Sequence, residues 1–131
     1  MRKMSLLGRF ALAIALSAVL LNCSQNPKPV VGAANQFDSD TYLTLVTTDS
    51  VIQSTKTALA GNQFPTAYVA NVKTALNKLI TAYNAADTVY QAYHLAALSG
   101  TSTPAQQASV NQAIGNVQAA TTMLVAAKAG K

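Results

Sequence analysis

The sequence predicts an all-α fold, an antiparallel three-helix bundle, on three observations. Apolar residues recur at steps of three and four over long stretches, glycine and proline collect between those stretches, and one stretch opens with a full helix-start signature. The breakers gather at GNQFP (61–65) and SGTSTP (99–104), which divides the body into segments of about 40–60, 66–98 and 104–128. Loops this short force neighbouring helices to run antiparallel, up-down-up.

In the first segment Leu45, Ile52 and Leu59 recur every seven residues, Asp40 or Ser39 supplies a start cap, and Gly61 closes the end. Its stretch TYLTLVTT also suits a strand. A strand needs a partner, however, and no other segment offers one, so the expectation is a helix. The second segment carries the strongest pattern: Val69, Val72, Leu76, Leu79, Tyr83, Ala86, Tyr90, Tyr93 and Ala97 follow one another in steps of three and four. A flanking line of Tyr68, Ala75, Ala82, Val89 and Ala96 widens the apolar face enough to serve two neighbours. The third segment begins Thr103-Pro104-Ala105-Gln106, where Thr103 caps, Pro104 sits in the first turn and Gln106 completes a capping box. Val110, Ala113, Val117, Ala120, Leu124 and Ala127 form its seam, with Ile114 beside it. Gly115 falls on the opposite side at a cost of about 1 kcal/mol relative to alanine. Alanine supplies 21 of the 109 residues after Asn22, so the core is modest and rests on its leucine, isoleucine, valine and tyrosine minority.

The chain of 131 residues holds one domain, and its first two dozen residues do not share this texture. Arg2, Lys3 and Arg9 precede an apolar run at 10–21, FALAIALSAVLL. Twelve residues make a helix of about 18 Å, short of the roughly 30 Å hydrocarbon core, so residues 1–22 read as a secretory signal and not a span. Cys23, the only cysteine, stands where such a signal is cut. Leu20-Leu21-Asn22-Cys23 resembles the lipobox of bacterial lipoproteins, although Asn22 stands where Gly, Ala or Ser is usual. The resemblance implies that the Cys23 sulfur takes diacylglycerol, as its nucleophilicity suits. The residues alone also admit an uncleaved short anchor or an intermolecular disulfide. Residues 23–37 then read as a flexible, lipid-anchored tether, and residues 38–131 as the bundle.

Beyond Asn22, six lysines against four aspartates leave +2, with no arginine and no glutamate. The arginine fork that reads phosphates and guanines is absent and the lysines are scattered along the chain, so no nucleic-acid partner is expected. One cysteine and one histidine give no metal site, no catalytic triad and no cofactor-binding motif. Without glutamate there is no evident acid and base pair for glycosidase chemistry. The expectation is therefore a protein that is not an enzyme. Asp38 and Asp40 form a D-x-D pair that helix capping explains better than a cation does.

Tyr83, Tyr90 and Tyr93 form the main aromatic stripe, with His94 beside it. They read either as core residues or as the wall of a small-ligand groove. Leu95 and Leu98 fall off the seam, covered by the 99–103 loop or else marking a contact with a partner or a second copy. Together these readings predict a small exported lipoprotein held through Cys23 on a cell membrane or outer membrane, facing the periplasm or outside. Its role is structural or protein-interacting, with an envelope protein partner or self-association. The alternative is a periplasmic module binding a small apolar or aromatic ligand beside the tyrosines.

Overall fold

The computed structural model describes residues 29–130. The expected signal at 1–22, the expected lipidation site Cys23 and the first part of the expected tether lie outside the described residues. Three helices follow in order: α1 over Gln36–Gly61, α2 over Thr66–Leu98 and α3 over Pro104–Ala129. Contacts between all three pairs make an all-α three-helix bundle, and TYLTLVTT is helical throughout.

The α2–α3 seam is the centre of the core. Val72, Ala75, Leu76, Leu79, Ala86 and Tyr90 from α2 pack with Val117, Ala120 and Leu124 from α3, and Leu45 and Ile52 of α1 close the third side. Leu79 has no exposed surface and Val72, Val117 and Leu124 only 1% each. The flanking line does its work as well, with Ala75 buried and Tyr68, Ala82 and Val89 half-buried.

The helix ends follow from local chemistry. Thr103 and Gln106 form the expected capping box with Pro104 in the first turn of α3. At the end of α2, Gly100 takes φ +70°, the left-handed conformation glycine adopts without a Cβ penalty. The N–H groups of Gly100 and Thr101 then reach back to the carbonyls of Ala97 and Ala96 in a Schellman closure.

The ends of α1 differ from expectation. Its cap is Asn35, whose side chain accepts from the Asp38 N–H, so the helix begins at Gln36 and not near Asp40. Asp38 and Ser39, expected at the boundary, lie inside the first turn and are completely buried. Gly61 is still helical, and closure comes instead from the Asn62 amide, which donates to the Ala58 carbonyl at 2.9 Å. Residues 30–34, expected to belong to the tether, fold back onto this first turn. The Val30 N–H donates to Ser39 Oγ at 2.8 Å and the Ala34 N–H to the Asp38 carboxylate at 2.7 Å.

Topology also sorts the charges. Lysines that look scattered along the chain, Lys56, Lys73 and Lys128, come together at the end where α1 finishes, α2 starts and α3 finishes, with Lys78 one turn and a half further along α2. The opposite end, where α1 starts and α2 finishes, carries Asp38 and Asp40 and, among the described residues, no lysine.

Candidate functional site

The chemistry-bearing side chains meet at the end of the bundle that lacks lysine. Because α1 and α2 run antiparallel, the first turn of one meets the last turns of the other, and residues nearly sixty positions apart come into contact. His94 Nδ1 lies 2.8 and 3.0 Å from the two carboxylate oxygens of Asp38. A carboxylate only accepts hydrogen bonds, so Nδ1 carries the proton and Nε2 is the ring nitrogen left free of this pair. Asp38 is fully buried, whereas the His94 side chain keeps a quarter of its surface exposed. The Ala34 N–H and the N-terminal position on α1 complete the compensation of the buried carboxylate.

Beside this pair α1 and α2 are joined by two further contacts. The Asn35 amide donates to the Tyr93 hydroxyl at 3.1 Å, and the rings of Phe37 and Tyr93 meet edge to face with centroids 5.1 Å apart. Asn35 thus caps its own helix with one atom and ties it to α2 with another. Every buried side-chain nitrogen and oxygen among the described residues has a partner.

A cleft of about 260 Å³ opens beside His94, lined by the 30–33 turn, Tyr42, Tyr90, Gln91 and His94 itself. The Tyr90 ring, 5% exposed, stacks at a tilt on His94. Burial, and then the negative charge of Asp38, push its hydroxyl pKa well above the ordinary tyrosine value. Burial, and then Asp49 and Asp87, raise Tyr83 in the same direction. At the other end, burial lowers Lys128, whose Nζ reaches Thr55 Oγ1 at 3.4 Å.

The structure separates the sequence-predicted candidates. Tyr90 and His94 share the cleft. Tyr83 is half-buried against the core and Tyr93 is buried against Asn35 and Phe37, and neither lines the cleft. Leu95 and Leu98 are 66% and 55% exposed, so the 99–103 loop does not cover them. Asp38 and Asp40 diverge: Asp38 turns inward to His94, while exposed Asp40 accepts from the Gln36 amide at 2.7 Å. No group of three or more potential metal ligands occurs among the described residues.

Sequence reasoning missed the Asp38–His94 pair, Ser39 and the cleft residue Tyr42. One local signal was available: Asn35-x-x-Asp38 has the N-cap to N3 spacing of a helix start. Chemically, a histidine oriented by a buried carboxylate is two thirds of a nucleophilic triad. The hydroxyls lining the cleft belong to Tyr42 and Tyr90, and the raised pKa of Tyr90 makes it a poor nucleophile. What the arrangement does offer is a self-satisfied polar clasp beside exposed apolar side chains. No family model, curated protein or solved structure matches the chain.

Proposed function

We propose that the protein is a small exported lipoprotein of the bacterial envelope with a structural or protein-interaction role and no catalytic activity. Lipid on Cys23 holds it at a membrane, a tether of a few residues follows, and the three-helix body carries the interaction surface. The observation that supports this reading most is the pairing of a sole cysteine at the end of an apolar signal with a body that begins only seven residues later at Val30. The exposed Leu95 and Leu98 support an interacting rather than an inert body.

Intact mass spectrometry of protein from membrane and soluble fractions, with Cys23→Ala alongside, tests this. The expected product starts at Cys23, carries a lipid-sized mass and leaves the membrane in the variant. An unlipidated soluble product cut elsewhere would refute the anchor.

A second reading, a periplasmic module for a small ligand, draws support from the cleft over Tyr90 and His94. Gln91→Trp fills that cleft. Fragments that shift the wild-type NMR signals of Tyr90 and His94 but not those of the variant would favour this reading.

A further inference from the structure

We propose that the end of the bundle built from the 30–33 turn and the last turns of α2 sits in the membrane interface, with Val31, Leu95 and Leu98 inserted among the lipid headgroups. This rests on the lipid-anchor reading of Cys23. The three side chains are 101%, 66% and 55% exposed. They are also neighbours: Gln91, His94, Leu95 and Leu98 follow i, i+3, i+4, i+7 spacing on one stripe of α2, and Val31 lines the same cleft as Gln91 and His94.

Chain length decides what covers them. From Cys23 to Val30 is seven residues, which span at most about 25 Å even when fully extended. The far end of α1 lies about 39 Å further on. The anchor therefore keeps the 30–33 turn close to the bilayer, and the apolar side chains at this end are the ones brought to it.

Charge fits the same occupant. Among the described residues this end has no lysine, and the Asp38 carboxylate is buried and paired with His94. Exposed Asp40 lies on α1, off the α2 stripe, so no exposed carboxylate among Gln91, His94, Leu95 and Leu98 must be pulled out of water. The attachment is accordingly apolar in origin and, with a single lysine, Lys28, between Cys23 and Val30, depends little on anionic lipid or salt, unlike a polybasic contact. The Schellman closure at Gly100 holds the last turn of α2 in place beneath its leucines.

The sole cysteine makes the test clean, because lipidation consumes the Cys23 thiol as a thioether. Leu95→Cys, Leu98→Cys and, at the distal end, Ala60→Cys in the full chain each then take one nitroxide label. The lipidated variants are placed in phosphatidylcholine vesicles and in vesicles containing phosphatidylglycerol, and label collisions with oxygen and with a water-soluble nickel chelate are measured. At 95 and 98 nickel collisions should fall several-fold relative to 60 while oxygen collisions rise, equally in both lipids. Protein that floats with the vesicles but shows position 60 behaviour at 95 and 98 would overturn the membrane seat. Shielding from both reagents would overturn it in favour of a protein partner or a second copy. Failure to float, with two labels per chain, would overturn the anchor itself and the seat with it.

Discussion

The two seams of α2 are built from different materials. Toward α3 every buried residue is apolar, and both helices contribute: Val72, Leu76 and Leu79 from one, Val110, Val117, Ala120 and Leu124 from the other. The buried face of α1 is instead mostly polar, consisting of Asp38, Ser39, Thr41, Thr48 and Thr55 with only Leu45 and Ile52 between them. Thr41 and Thr48 cost little because each donates to its own helix, to the carbonyls of Phe37 and Thr44 at 2.8 Å. Asp38 is satisfied from outside its helix, by His94. The bundle is thus a tight apolar pair with a third helix held on it by fewer apolar residues, Leu45 and Ile52 foremost, and by a hydrogen-bonded clasp at one end.

Four predictions break or sharpen this contrast. The largest effect belongs to the apolar seam: Leu79→Ala should cost about 2–5 kcal/mol in thermal or urea unfolding, while exposed Thr74→Ala and Thr81→Ala on the same helix change almost nothing. Equal losses would mean that the seam is misplaced. Next comes the clasp. Asp38→Ala should cost about 1.5–3 kcal/mol by stranding the His94 and Ala34 donors. Its signature is regional: hydrogen exchange should accelerate in α1 and leave α3 amides protected, whereas uniform acceleration would show the two seams to be one cooperative unit.

Gly115 belongs to neither seam. It is exposed, within α3, and a Cβ there meets nothing within 4 Å. Gly115→Ala should therefore raise stability by about 0.5–1 kcal/mol, and a loss would reveal a contact on that face. The smallest change tests the inward threonines. Thr48→Val removes a hydroxyl that serves only its own helix, so stability should shift by less than about 0.5 kcal/mol, toward a gain. A loss comparable to Asp38→Ala would mean that the hydroxyl does work across the junction.

The contrast also explains what was legible in the sequence. The α2 and α3 faces could be read residue by residue because their burial is apolar, and hydrophobic period is the signal burial leaves. Thr103, Pro104 and Gln106 marked a boundary through local geometry alone. The start of α1 was placed about four residues late because its first buried turn is Asp38-Ser39, which looks like solvent-facing polarity until a partner is supplied. That partner, His94, lies 56 residues away, and only the antiparallel return of α2 joins the two. The same return made a basic end out of lysines with no sequence clustering. Of the candidate site, Tyr90 and His94 were read as possible cleft residues and are found there. Tyr83 and Tyr93 were grouped with them by helical spacing, which does not tell a core-facing ring from one at an opening.

Three is an odd number of helices, so Val30 and Gly130 lie at opposite ends of the bundle. A pull between these two points runs along the helix axes and loads both seams in shear, where the contacts along a seam resist together. With two or four helices the two points would share an end, and the same pull would peel the helices apart turn by turn. Under such a load the polar junction of α1 is the one to slip first, and the clasp of Asp38 and His94 is where the force enters it.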